Sequence, residues 1–277
     1  MTPNRFHKTI NRILWEGIIF TDVDFNDKRI SLYEANPKES LKDYIETIWF
    51  MKWNIEDPEG LPCIVVPNPC SKFVIIQIDG KTFDPLLVGA HENADLFTYK
   101  EHGLMVGIDF RPGALYPFIN KAMNDWPSSG ILANELLPNV PKPTGVWNEE
   151  ILSEWLVSFE DYLEKKLEKS NDNNYKKILS AIEGILNESL KTPEEIANIC
   201  SMSVRTLQRV FQKEVGVTPR DVLRIARFNR SIRQISETDF ASFADIALSS
   251  GFFDQPHMAN EFQKLVATPP SKFKRYI

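Results

Sequence analysis

Two stretches near the C-terminal end of the sequence repeat each other. IANICSMSVRTLQRVFQKEVGVTP (196–219) aligns with IALSSGFFDQPHMANEFQKLVATPP (246–270). Ile196-Ala197 pairs with Ile246-Ala247, Leu207 with Met258, Phe211 with Phe262, and Pro219 with Pro270. The offset grows from 50 to 51 residues because the second turn is one residue longer. Each unit spells a short helix, a tight turn and a second helix with buried apolar positions, the helix-turn-helix pattern. The local signals agree. Thr192 and Glu195 have capping-box spacing, Pro193 suits a first helical position, and Ser203 can cap VRTLQRVFQKEV. Gly216 ends that helix and Pro219 starts the next.

The preceding residues follow another pattern. From about Arg29 to Phe110, short β-branched and aromatic runs alternate with Pro, Gly and Asn. YIETIWFMKW (44–53), PCIVVP (62–67), KFVIIQI (72–78), DPLLVGA (84–90) and GLMVGIDF (103–110) read as strands, and their spacing predicts a sandwich or small barrel. RPGALYPFINKAM (111–123) reads as a helical turn or short helix, and the three prolines of 137–145 mark a loop. Residues 148–169 form an amphipathic helix with Leu152, Trp155, Leu156, Phe159, Tyr162, Leu163 and Leu167 on its apolar side. That face looks wider than one sheet needs, which predicts a homodimer contact through it, beside the plainer reading that the helix only covers its own sandwich and the C-terminal domain. KSNDNN (169–174) is a polar break and sets the domain boundary. The expected fold is α+β and multidomain. Residues 1–170 form a β sandwich or barrel with flanking helices, and 175–277 form an all-α domain of two helix-turn-helix units joined by a long helix.

Charge divides along the same line. The net −6 splits into +4 over 175–277, with 15 Lys+Arg against 11 Asp+Glu, and −10 over 1–174. Such asymmetry points to one part that meets a polyanion and one that does not. No apolar run approaches the length of a membrane span, and the N-terminus lacks a signal-peptide pattern, so a cytoplasmic protein with no membrane partner is expected. Three cysteines, Cys63, Cys70 and Cys200, fit a reducing compartment better than a disulfide framework. Four scattered histidines give no metal-site spacing, so neither metal nor cofactor is expected.

The tandem units, the basic helix between them and the closing TPPSKFKR together resemble the DNA-binding domain of the AraC/XylS family of transcription regulators, over about residues 175–277. The resemblance implies double-stranded DNA and RNA polymerase as partners. It also implies a cupin-like N-terminal domain for an effector or for dimerisation. FRPGALYPF (110–118), after a strand, is similar to one divergent group of such domains. Asn260 and Ala267 stand where the family usually has Arg and Gly.

On the first reading helix, inward packing of Leu207, Val210 and Phe211 leaves Val204, Arg205, Thr206, Gln208, Arg209 and Gln212 toward solvent or DNA. Arg can pair bidentately with guanine and Gln with adenine. The family pattern implies groove-facing roles for Arg205 and Arg209. On the second helix the candidates are Gln255, His257, Ala259, Asn260, Gln263 and Lys264, with a cap role open for His257. In the joining helix, Arg220, Arg224, Arg227 and Arg230 share one arc, open to phosphate or to internal acids.

The β region offers Trp49, Trp53 and Phe73 as lining for an effector, beside the plainer reading that they are core. Arg111 can hold an anionic effector or pair with an acid. The leading expectation is a transcription regulator controlled by a small molecule, with no catalytic residue. One alternative is control by a protein partner. The other is an enzyme fused to a DNA-reading module, although the Cys-rich zinc site and reactive-cysteine motif of Ada-type proteins and the His-x-His cluster of metal cupins are missing.

Overall fold

The structure is a computed structural model that describes residues 5–9, 18–20, 29–127, 129–168, 173–237 and 242–274. Its β region carries strands β1 (His7–Thr9), β2 (Ile18–Phe20), β3 (Ile30–Ala35), β4 (Ile45–Ile55), β5 (Leu61–Val65), β6 (Ser71–Ile78), β7 (Lys81–Thr82), β8 (Leu86–Val88), β9 (Asp95–Tyr99), β10 (Glu101–Phe110) and β11 (Ile131–Leu132). Antiparallel pairing gives one sheet in the order β1-β3-β4-β10-β6-β8-β11, with β7 folded onto β6, and a second sheet β2-β5-β9. The two sheets form the expected sandwich.

The large sheet is apolar on both faces. Alternate residues of its central strands, among them Phe50, Phe73, Ile75, Val106 and Ile108, face one core with α3 (Glu149–Leu167). The intervening residues, Trp49, Trp53 and Met105, face the second sheet. Each buried face removes apolar area from water at about 25 cal/mol per Å². Helix α3 starts on Asn148, whose side chain accepts the Ile151 N–H, and has acids early and lysines late as the helix dipole favours.

The stretch 111–123 holds the expected helical turn, α1 (Tyr116–Ile119). It stops where Asn120 enters the left-handed region at φ 47°. One expectation needs correction here: the apolar face of α3 is no surplus. Leu152, Trp155, Leu156, Phe159 and Leu163 are buried within the chain itself. The proline-rich loop covers the flank, accepting the Trp155 indole N–H at the Pro141 carbonyl and the Tyr162 hydroxyl at the Pro138 carbonyl. The polar break falls partly at 169–172, outside the described residues.

After a short helix α2 (Ala133–Leu136) and α3, the chain is helical: α4 (Asn173–Leu186), α5 (Pro193–Ile199), α6 (Val204–Glu214), α7 (Pro219–Glu237), α8 (Phe243–Ser249), α9 (Gln255–Val266) and α10 (Pro270–Phe273). The Thr192–Glu195 capping box forms in full, and Ser203 caps α6. Helices α5 and α6 pack with α4 around Leu207 and Phe211. Helices α8 and α9 pack around Phe228, Phe262 and Phe273, and that second core also takes Ile64 and Val66 from the β region. The β and helical regions are further joined by the Ala94 N–H to the Leu265 carbonyl and the Met123 N–H to the Lys213 carbonyl.

The repeat holds down to its turns. Gly216 closes α6 at φ 95°, while its counterpart after α9 is Ala267, forced left-handed at φ 52°. A Cβ in that region is disfavoured, whereas glycine enters it freely. Ala267→Gly is therefore expected to raise stability by about 0.5–1 kcal/mol in urea unfolding. A loss of stability would contradict this reading of the turn.

Candidate nucleic-acid interface and the β-region cavity

Helix α6 presents Arg205, Gln208, Arg209 and Gln212 on one exposed face at i, i+3, i+4, i+7 spacing. Among the described residues no ion pair engages either arginine, so both guanidinium forks are available to an acceptor. The other two expected residues do local work. Val204 packs partly on the first core, and the Thr206 hydroxyl bonds with the Ser203 cap at 2.9 Å. Helix α9 exposes Gln255, Asn260 and Gln263. His257 acts in the cap: its Nδ1 accepts the Phe253 N–H at 3.3 Å and its ring stands edge-on to Phe252. Ala259 is half-buried, and Lys264 is exposed but bonded to Glu261 at 3.0 Å.

The four-arginine arc of α7 separates on folding. Arg220 is exposed. Arg224 lies between Glu92 of the β region and Glu261 of α9, 3.9 Å from each carboxylate. Arg227 is half-buried beside Gly251, and burial lowers its guanidinium pKa against the favourable field of Glu261. Arg230 pairs with Glu188 and donates to the Ser250 carbonyl, both at 3.1 Å. Arg224 and Arg230 thus brace the helical units against each other, and Arg224 also ties them to the β region.

One exposed residue escaped the sequence reading. Phe253 is 83% exposed immediately before the Asp254 cap of α9. Ser201 and Gly251 are equivalent left-handed turn residues, and Ser203 and Asp254 are equivalent caps. Phe253 is therefore the extra residue of the longer second turn, and that one-residue insertion was the available signal.

Between the two sheets lies a cavity of about 710 Å³. Trp49 and Trp53 line it, with Val74, Ile76, Met105 and Trp126 among the other walls. Two expected ligand residues lie elsewhere. Phe73 faces α3, stacked near Trp155 and Phe159, because it has the opposite strand parity to Lys72 and Val74. Arg111 donates to the Lys42 carbonyl and pairs with Glu46 at 3.3 Å. At the cavity's inner end Lys72 is ion-paired with Asp109 at 2.6 Å. All three cysteines are free and buried, and burial pushes the Cys63 thiol up to about 12.

This architecture is that of a tandem helix-turn-helix protein with a β-sandwich partner region. A helix-turn-helix domain family matches residues 196–276, and a domain of unknown function, DUF6597, matches residues 33–131. The probable transcription factor PqrA of Proteus vulgaris is 35% identical over 88 residues, covering 32% of this chain and 70% of PqrA. The uncharacterized HTH-type transcriptional regulator YbfP of Bacillus subtilis is 29% identical over 116 residues, covering 42% of this chain and 36% of YbfP. A solved AraC-type regulator structure from Chromobacterium violaceum has 25% identity and a TM-score of 0.33, covering 38% of this chain and 94% of that one. The chain belongs to the AraC/XylS family of transcription regulators. It spans between 36% and 53% of the length of three curated relatives that it matches.

Proposed function

We propose that this chain regulates transcription by binding double-stranded DNA through α6 and α9, under control of a small molecule held by the β region. The observation that carries the DNA reading is the exposed Arg205–Gln208–Arg209–Gln212 stripe, whose last two positions recur as exposed Asn260 and Gln263 on the equivalent helix of the second unit, with Gln255 exposed at its start. Two reading helices fixed by one joining helix suit successive major-groove segments about one helical turn apart. Arg205 and Arg209 have the donor geometry for guanine, and the exposed amides have it for adenine. Phe253 offers an apolar contact at the same mouth, as a thymine methyl would need. Arg220 and Lys264 are exposed basic residues available for phosphate, whereas Arg224, Arg227 and His257 support the reading helices from behind.

Residues 1–170 and 175–277 are proposed as the sensing and DNA-reading domains of a cytoplasmic, non-enzymatic regulator that engages RNA polymerase. Homodimerisation stays within the proposal, without the apolar face of α3. The cavity favours small-molecule control over control by a protein partner. Among the described residues no helix is long and apolar enough to cross a membrane.

Arg209→Ala tests the reading mode. It is expected to cost about 1–3 kcal/mol of affinity for a duplex selected by the wild-type chain and to relax preference at one base position. An equal loss on every sequence would make Arg209 a phosphate contact instead.

A further inference from the structure

The floor of the cavity is paved by two indoles. Gly103 and Gly107 of β10 lie across from Trp53 and Trp49 of β4. A Cβ at Gly103 would stand 1.9 Å from the Trp53 ring, and one at Gly107 would stand 2.2 Å from the Trp49 ring. The two glycines therefore let both rings lie flat over the sheet. Each indole N–H is already used, Trp49 donating to Asp109 at 3.1 Å and Trp53 to the Lys100 carbonyl at 2.9 Å. Trp49 and Trp53 are 2% and 5% exposed, so they offer an occupant a small area of ring surface rather than a donor. Tyr99 stands edge-on to Trp53 at 4.9 Å, and Phe97 and Trp126 add further aromatic wall.

The charges of the lining decide the sign of the occupant. Of its cations, Lys72 is neutralised by Asp109, while Lys100 is exposed and hydrogen-bonds the Pro58 carbonyl at 2.9 Å. His91 adds no positive charge near neutral pH, because burial and the field of Lys72 lower its pKa, outweighing the bond from Nε2 to the Val66 carbonyl. Three acids share the lining: Glu92, which Arg224 faces at 3.9 Å, and Asp95 and Glu101. Among the described residues, an anion entering here would find only the exposed Lys100 without a carboxylate partner, and would be desolvated at a cost. A cation would gain from the negative faces of the rings and from the acids.

We infer that this cavity binds a hydrophobic organic cation. The inference rests on the small-molecule part of the proposed function and gives that effector a chemical class. The volume is that of a site for a drug-sized molecule. The lining also includes Gly216 and Val217, at the end of the first reading helix, and Glu92, which faces Arg224. An occupant therefore touches the joints between the β region and the helical units.

The test uses the full chain and three probes with similar phenyl shells and different charge: tetraphenylphosphonium, tetraphenylborate and neutral triphenylphosphine oxide. Calorimetry gives affinity, and tryptophan quenching reports proximity to the indole floor. Tetraphenylphosphonium is expected to bind one-to-one, at least about ten-fold more tightly than either other probe. The double variant Asp95→Asn/Glu101→Gln keeps the cavity but is expected to shrink that preference several-fold. Val74→Phe, shown to be folded by circular dichroism, is expected to weaken binding by filling space. Equal or tighter binding of the borate or the phosphine oxide overturns the assignment of a cation. Failure of all three probes overturns the cavity as the site, as does a preference unchanged in the double variant. DNA binding by the same preparation is read separately, so loss of the regulator reading and loss of this inference are distinct results.

Discussion

Replacing Asp109 by Asn should destabilise the chain by about 3–5 kcal/mol, seen as a lower urea midpoint with little change in slope. Asp109 is 1% exposed and accepts from both Lys72 and the Trp49 indole. The variant keeps the shape but leaves the Lys72 ammonium buried without its carboxylate, which costs more than the pair itself contributes. Replacing both partners, as in Lys72→Met/Asp109→Leu, should recover part of the loss, because no buried charge then remains, while the Trp49 indole N–H loses its acceptor. A single-variant cost below about 1 kcal/mol would mean that water reaches Lys72 and that the pair is not sealed.

Phe262→Ala should cost a similar amount, about 3–5 kcal/mol, by opening a cavity in the second helical unit. The ring is fully buried, 4.7 Å from Phe228 and 5.6 Å from Phe273 between centroids. This core also holds Ile64 and Val66, so the damage should cross into the β region. Hydrogen exchange at Ala94, whose N–H bonds the Leu265 carbonyl, is expected to quicken. Unchanged protection there would show that the two regions do not share this core energetically.

The helical half was legible because its instructions are local. Caps at Thr192 and Ser203 and a stop at Gly216 act within one turn of their own residues, and duplication states the pattern twice. The central strands were legible from their β-branched runs. Strand β9 was not, since Leu96, Phe97 and Thr98 are all exposed and its side chains do not alternate in burial. Nor did periodicity reveal which residues of β4 and β6 line the cavity. Both faces of the large sheet are apolar, so Trp49 and Phe73 read alike although they point to opposite sides. Long-range pairing hid the roles of the α7 arginines. Arg224 meets Glu92, which lies 132 residues earlier in the chain. The apparent surplus on α3 had the same origin, because nothing in the helix says that the 137–145 loop will fold over Trp155 and Tyr162.

Binding of the full chain to its selected duplex, followed by fluorescence anisotropy from 50 to 200 mM salt, tests the central claim most directly. Neutralisation of several phosphates predicts an affinity that falls at least about a hundred-fold across that range. An Arg205→Ala/Arg209→Ala chain should bind more weakly at every salt concentration and with less preference for the selected sequence. A signal independent of salt, or a double variant indistinguishable from wild type, would contradict the assignment of α6 as a DNA-reading helix.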